Sequence, residues 1–260
     1  MGILGILTCE ILELEFAQLL ANDPDLACIT VVEDDQSKKF FNALEFGNAA
    51  NLRRIKNLNE FTPNSTDKPE VLIRVLGIGL HNRKTKLQNG LIEATRELEP
   101  YVDALLLGYG LCGNALEKHD ALLSDAGVPI FIPMDEDHPV DDCVGLLIGG
   151  RECYYREQCK VAGTFFMIPG WTHHWRRLVE QEFGNSDLDM LKRLFKNYER
   201  SLVILTSTMS EAEMKRNIET FNQLFGLRSE VRDGTLKILY EAWYSAKAFL
   251  NSQANTSQNF

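Results

Sequence analysis

Basic residues are scarce in this sequence relative to acidic ones. It contains 27 lysines and arginines against 37 aspartates and glutamates, which gives a formal net charge of -10 at pH 7. A protein that follows a phosphate backbone needs clustered lysines and arginines, whereas an acidic surface repels nucleic acid. We therefore expect no nucleic-acid partner.

Long apolar runs and a secretory leader are also missing. The longest apolar runs, such as residues 104–107 and 144–148, are far shorter than the roughly 20 residues that cross a bilayer. The N-terminal MGILGILTCE lacks a basic segment and a small-residue cleavage site, so it indicates a first strand and not a signal peptide. The 6 cysteines are then expected to be reduced thiols. These features predict a cytoplasmic protein with no membrane partner.

Short apolar segments alternate with longer amphipathic ones along the chain. The apolar segments are predicted strands: ILGILT, ACITVV, VLIRVLGIG, DALLLGYG, VPIFIPM, GTFFMIPG and SLVILTS. Near-continuous apolar strands are buried on both faces, as in a parallel sheet covered by helices. Helical spacing of apolar residues at 10–22, 82–98 and 211–225 then predicts a doubly wound α/β fold, with a mostly parallel sheet and helices on both faces.

The chain is long enough for one substantial core. It has 260 residues, of which 45% are hydrophobic, and α/β folds of this length often form one domain. We predict a single domain over residues 1–249, or two lobes at 1–150 and 151–249. The C-terminal NSQANTSQNF has almost nothing to bury, so residues 250–260 are expected to form a disordered tail.

Candidate metal ligands follow several of the predicted strands. In a parallel sheet, ligands bind at the edge where the strands end and helix N-termini point free N–H groups. A cysteine near a strand end is, taken singly, more often a packing residue. Here, however, Cys9, His81, Cys112 and Cys143 follow four different strands. This ligand set suits zinc, with an iron–sulfur centre as a second choice. A bound cation would also hold together thiolates that otherwise repel one another.

The loop GYGLCG supports a second interpretation. Its glycines Gly108, Gly110 and Gly113 match the spacing of a dinucleotide-binding turn, and Asp135 follows about 20 residues later, as a ribose-binding acid would. The same glycines can instead bring backbone N–H groups close to an anion or a metal-bound substrate while they position Cys112 for catalysis. A nucleotide-dependent oxidoreductase is therefore the alternative to a metal protein.

An aromatic segment, GTFFMIPGWTHHWRR, adds a candidate pocket wall. The turn at Pro169 and Gly170 leads Trp171 into a predicted helix. Its ring and those of His173, His174 and Trp175 are candidate pocket walls for a planar cofactor or a methylated cation, or parts of an ordinary aromatic core. Arg176 and Arg177 are candidates to bind a carboxylate or to face solvent. A serine hydrolase is not indicated, because no G-x-S-x-G elbow occurs in the sequence.

Taken together, LTCEIL, GLHNRKTKL, LLLGYGLCGNAL, DDCVGLLIGG and GTFFMIPGW resemble an uncharacterised family, the domain of unknown function sixteen thirty-eight. The similarity spans roughly residues 1–245. Its members occur largely in methanogenic archaea and anaerobic bacteria, often beside corrinoid-dependent methyltransferase systems. In the family pattern the four metal-ligand candidates and the three loop glycines occupy motif positions, and the GYGLCGN segment adds Asn114 as a cofactor-binding candidate.

One position departs from the family pattern. The family usually has a histidine directly before the Asp-Cys pair, whereas this chain has Asp141 before Asp142 and Cys143. If that position acts in catalysis or ligation, either the chemistry of this protein is altered or Asp141 substitutes for the histidine with an oxygen donor.

The resemblance supplies no established reaction and implies, by association, a metal-dependent role near one-carbon or sulfur metabolism. We expect a metal-dependent transferase that activates a thiol of a small-molecule substrate, or that passes a methyl group to or from a corrinoid, with a corrinoid protein or a methyltransferase as partner. A non-enzymatic metallochaperone for a methyltransferase is a further alternative. The sequence is compatible with a homo-oligomer.

Overall fold

A parallel six-stranded sheet forms the centre of the molecule. The computed structural model describes residues 2–49, 51–64, 67–113, 115–118, 122–184 and 188–257, and the backbone alone of His81, Asn82 and residues 254–257. The strands of this sheet are β1 (Ile3–Cys9), β2 (Cys28–Val32), β3 (Leu52–Ile55), β4 (Glu70–Leu76), β5 (Ala104–Gly108) and β6 (Ile130–Phe131). They lie in the order β3-β2-β4-β1-β5-β6, and every neighbouring pair is parallel.

Helices surround this sheet and confirm the predicted doubly wound α/β fold. They are α1 (Glu13–Ala21), α2 (Lys38–Phe46), α3 (Lys84–Leu98), α4 (Cys143–Ile148), α5 (Arg151–Lys160), α6 (Pro169–Phe183), α7 (Leu188–Phe195), α8 (Glu211–Phe225) and α9 (Lys237–Ser257). Short 3-10 helices occur at Glu10–Leu12, Leu58–Glu60, Ile78–Asn82 and Glu99–Tyr101. Among the described residues, no helix is long and apolar enough to cross a membrane.

Two smaller sheets accompany the central one. β9 (Thr164–Met167), β10 (Arg200–Leu205) and β11 (Arg228–Asp233) form a parallel sheet in the order β11-β10-β9. β7 (Met134–Asp135) pairs antiparallel with β8 (His138–Pro139). The segment VPIFIPM, predicted as one strand, is thus divided between two sheets. Pro133 lies at the break, and proline lacks the N–H that a continuing strand would donate.

The C-terminal helix α9 returns the chain to the first sheet. It packs on β1, β5 and β6, and Leu250 on this helix is buried in the core. Residues 250–257, which we expected to lie in a disordered tail, therefore continue the helix. They do so because Leu250 gives the last turns apolar surface to bury. Residues 258–260 lie outside the described part of the chain.

The carboxyl ends of β1 and β5 mark the point where the strand order changes direction. From β1 the chain runs to β2, β3 and β4 on one side, and then crosses to β5 and β6 on the other. In open α/β sheets such a switch point is where ligands bind. Cys9 is the last residue of β1, and the loop 109–113 follows β5 directly.

The start of α6 contacts the turn that follows β1. A side chain on Gly170 would overlap the backbone of Ile11, with its Cβ 1.9 Å from the Ile11 carbonyl oxygen. Only glycine allows two backbones to approach this closely. This contact brings the second sheet and α6 to the switch point of the first sheet.

Candidate functional site

The loop after β5 is bonded to the segment that precedes α4. The Leu111 N–H donates to the Val140 carbonyl and the Cys112 N–H to the Asp141 carbonyl, each at 2.8 Å. A Cβ on Gly110 would lie 2.5 Å from the Val140 oxygen, so this position requires glycine. The pairing places Cys112 beside the N-terminus of α4, where Cys143 is the first residue.

Cys112 adopts a backbone conformation that is uncommon for a residue with a side chain. Its φ is +47°, in the left-handed region, and Gly113 follows with φ +64°. Such a conformation costs on the order of 1–3 kcal/mol and is concentrated at functional sites. With this left-handed turn, Cys112 lines a cavity beside the start of α4.

The thiols of Cys9, Cys112 and Cys143 lie within electrostatic reach of one another. Burial raises the pKa of all three, in the case of Cys112 to about 12. Charge on Cys112 raises the pKa of Cys9, and charge on either of those two raises the pKa of Cys143. The Tyr109 hydroxyl hydrogen-bonds to the Cys9 sulfur, which lowers the pKa of that thiol. Without a cation, these cysteines are therefore protonated at neutral pH.

The thiols are gathered, but less closely than the ligands of a single ion. Sulfurs at about 2.3 Å from a tetrahedral zinc lie roughly 3.8 Å from one another. Among the described residues, one set of three groups has its ligand atoms all within 4.8 Å of one another, and this set is Glu10, Glu13 and His174. The three cysteines do not form such a set, so binding one ion would draw them closer together.

A cavity of ≈ 460 Å³ opens beside Cys112 and Cys143. This volume lies within the range of small-molecule sites, about 300–1,000 Å³. Aromatic rings from α5, β9, α6 and the segment before β10 wall the cavity: Tyr154, Phe165, Phe166, Trp171 and Tyr198. The described lining residues include Asp142 and Glu182 but no lysine, arginine or histidine. The cavity therefore suits a neutral or cationic ligand.

Asp142, and not Asp141, faces this cavity. Its Oδ1 accepts a hydrogen bond from the Gly145 N–H at 2.8 Å and so caps α4, and its Oδ2 accepts one from the Tyr154 hydroxyl at 3.4 Å. Burial raises the pKa of the Asp142 carboxyl. Asp141 contributes its backbone carbonyl to the Cys112 N–H, and its side chain is not part of the cavity lining.

Only some of the predicted cofactor-binding residues line the cavity. Gly113 and Trp171 line the cavity. Gly108 does not, because it packs under α1, where a Cβ would lie 2.5 Å from both the Phe16 ring and the Thr8 hydroxyl. Asn114 lies outside the described residues. His81 belongs to the 3-10 helix Ile78–Asn82 after β4, next to β1 in the sheet, and its side chain also lies outside the described part.

The structure gives Asp135 a different role from that of a ribose-binding acid. Its Oδ2 accepts a hydrogen bond from the Arg151 N–H at 2.7 Å, at the first residue of α5. Residues 115–118, which follow the GYGLCG loop, form turns. These features do not favour a dinucleotide site.

A buried polar cluster after β1 was not predicted as a cluster from the sequence. His174 Nε2 lies 2.8 Å from Glu13 Oε1, and the Arg177 guanidinium donates to Glu10 Oε1 and, at 3.1 Å, to His174 Nδ1. Burial raises the pKa of Glu13 to about 7 and lowers that of His174 to about 4. The imidazole is therefore neutral, with its proton on Nε2 facing Glu13. The sequence offered His174 as a pocket-wall ring and Arg177 as a carboxylate-binding candidate, but no local pattern paired them with Glu13 and Glu10.

Comparison with protein families gives one assignment. A family described as a protein of unknown function, DUF1638, matches residues 75–243, which include Cys112, Cys143 and Trp171. Searches of curated proteins and of solved structures gave no match. Because the matched region covers more than half of the chain, the protein belongs to the DUF1638 family.

Proposed function

We propose that the protein binds a soft metal ion, zinc above all, through Cys9, Cys112 and Cys143, and acts as a transferase of thiol or methyl groups linked to corrinoid metabolism. One observation carries this proposal. Cys9 ends β1 and Cys112 follows the adjacent strand β5, and Cys112 and Cys143 line one cavity whose described lining has no basic residue.

The chemistry of the donor set suits such an ion, and binding it would draw the three thiols closer together. Catalytic zinc sites use three protein ligands and leave a fourth position for substrate, and here the neighbouring cavity supplies the space. Buried thiols with raised pKa values need a nearby cation to ionise, and the ion would provide it. Three thiols suit an iron–sulfur cluster less well, since most clusters use four. His81 is the proposed additional ligand, and we place the corrinoid on a partner protein.

The surrounding residues would support thiol chemistry. When bound, the ion supplies a Lewis acid that lowers the pKa of a substrate thiol. Asp142 is positioned by Gly145 and Tyr154 at the cavity wall, where its carboxylate can accept the proton that such a thiol releases. The rings of Phe165, Phe166 and Trp171 exclude water from the same space.

Elemental analysis of the anaerobically purified protein tests the site. We expect one zinc per chain in the wild type and loss of the metal in Cys112→Ala and Cys143→Ala. Cys28→Ala, in the buried strand β2, and Cys159→Ala, exposed on α5, are matched controls that should retain the metal. Substoichiometric metal in the wild type, or unchanged content in Cys112→Ala, would contradict the proposal.

Two further measurements address the alternatives. Titration with NAD(P) and an absorbance spectrum for flavin should both be negative, because Asp142 and Glu182 would repel a pyrophosphate. A non-enzymatic metallochaperone would co-purify with a methyltransferase and show no turnover alone. Turnover of a thiol or methyl donor by the isolated protein would count against that alternative.

A further inference from the structure

The cluster of Glu10, Glu13 and His174 has the composition and spacing of a metal site distinct from the thiols. Each of the three offers one ligand atom, and these atoms all lie within 4.8 Å of one another. All three side chains are buried, with Glu13 exposed by only 1%. Two carboxylates and one imidazole form a set that suits borderline or hard divalent cations such as Mn²⁺, Fe²⁺ or zinc.

A second observation points to a missing ligand. Glu13 Oε2 is buried and has no hydrogen-bond partner among the described residues. Buried carboxylate oxygens are nearly always hydrogen-bonded or coordinated, because leaving one without a partner costs free energy. The Glu13 carboxylate already contacts His174 through Oε1. The oxygen without a partner, Oε2, therefore belongs to the same Glu13 carboxylate that contacts His174.

Two positive charges face this cluster, those of Arg177 and of Lys39 on α2. The Arg177 guanidinium donates to Glu10 Oε1 and to His174 Nδ1, whereas Glu13 contacts the other ring nitrogen of His174, Nε2. The Arg177 side chain is 41% exposed, and its Nε has no hydrogen-bond partner among the described residues.

We propose that Glu10, Glu13 and His174 bind a divalent cation of the manganese or ferrous type, and that the charge of the neighbouring Arg177 guanidinium weakens this binding. The site stands on its own geometry and does not depend on the proposed thiol site. An ion pair that only fastens α6 to the turn after β1 is the competing explanation. The two explanations predict different metal affinities once the charge of Arg177 is removed.

Manganese is the probe that separates this site from the thiols, because Mn²⁺ prefers oxygen and nitrogen ligands over sulfur. The protein is titrated with Mn²⁺ alone, and the free ion is measured by electron paramagnetic resonance. We expect one ion per chain in the wild type, and binding about tenfold tighter in Arg177→Gln because a like charge next to the ion is removed. Glu13→Gln and His174→Ala should lose the ion, whereas Cys112→Ala should bind it as the wild type does.

Arg176→Gln is the matched control. Arg176 is the preceding residue of the same helix and lies over the ring of Trp175, at 4.3 Å from its centroid. This variant should bind manganese as the wild type does. Absence of binding in both the wild type and Arg177→Gln, equal tightening by Arg176→Gln, or unchanged binding in a folded Glu13→Gln would each overturn the proposal. Because Glu13→Gln preserves side-chain volume and Arg177→Gln is a gain of binding, the result does not depend on whether His174→Ala folds.

Discussion

The Cys112 N–H donates to the Asp141 carbonyl at 2.8 Å, and this bond joins the loop after β5 to the start of α4. Two cysteines that are 31 positions apart in the sequence thereby line the same cavity. Substitutions that disturb this local pairing should therefore affect both thiols together.

Gly110→Ala should disrupt the pairing. The added Cβ would lie 2.5 Å from the Val140 oxygen and 2.8 Å from the Asp142 nitrogen, and both are backbone atoms. We expect a loss of about 1–3 kcal/mol in the free energy of unfolding, measured with urea, together with a loss of bound zinc. Gly184→Ala is the control, since Gly184 has a positive φ, +59°, that disfavours alanine, but has no atom within 4 Å of its Cβ position. It should lose some stability and keep the metal, and equal metal loss in both variants would argue against a local effect.

Cys112→Gly should be more stable than Cys112→Ala. Both variants remove the thiol, but only glycine occupies φ +47° without strain. The free energies of unfolding of the two variants should differ by about 1 kcal/mol, measured by urea denaturation of the metal-free proteins. At Cys143, within the first turn of α4, the order should be reversed, because glycine is disfavoured in a helix. If alanine proves the better residue at position 112, the left-handed conformation is not the one adopted in solution.

Asp142→Asn should make Cys112 more reactive. Burial is the largest cause of the raised pKa of Cys112, and the charge of Asp142 is the next. Asparagine still caps α4 but carries no charge. Alkylation of the metal-free protein should therefore accelerate by up to about tenfold, since one pKa unit changes the thiolate fraction tenfold. Asp141→Asn is the matched control and should leave the rate unchanged, and Cys112→Ser identifies the reacting thiol. An equal acceleration in both aspartate variants would show that Asp142 has no special role.

Glu157 should make stability depend on acid pH. Burial alone would raise the pKa of this carboxyl, but hydrogen bonds from Lys160, Arg200 and Arg232 outweigh burial and lower the pKa to about 2. The pKa of Glu157 in the folded state lies below the unfolded value of 4.5. The contribution of Glu157 to the free energy of unfolding is therefore present above pH 4.5 and is lost as the pH falls toward 2.

Thermal unfolding of Glu157→Gln tests the direction of this pH dependence. At neutral pH the free energy of unfolding of the variant should be roughly 3 kcal/mol lower than that of the wild type, because three cations lose a buried partner. This difference should shrink as the pH falls from 4.5 to 2. Glu152→Gln, an exposed partner of Arg156 on the same helix, should change stability little. A deficit that stays constant across this pH range would contradict the assignment.

Much of the fold follows from local sequence patterns. Continuous apolar segments such as ILGILT can be buried on both faces only in a sheet covered by helices, and the central sheet has this form. The candidate ligands Cys9 and Cys112 were found because strand ends share one edge. Pro133 divided one predicted strand, since its missing N–H stops the ladder.

The rest of the site depends on contacts between distant parts of the chain. Tyr198 and Phe166 line the cavity because the second sheet lies against the first, and no local pattern encodes that approach. The same holds for His174, which meets Glu13 across 161 positions. The choice of Asp142 over Asp141 depends on which of two adjacent side chains turns inward, and this is set by the hydrogen bonds of the Asp142 carboxylate.

The backbone contact between Gly170 and Ile11 also limits which ligands the cavity can admit. Any residue larger than glycine at position 170 would push α6 away from the turn that follows β1. Because Ile11 and Trp171 both line the cavity, we expect such a substitution to change the width of the cavity and so the size of ligand that it admits.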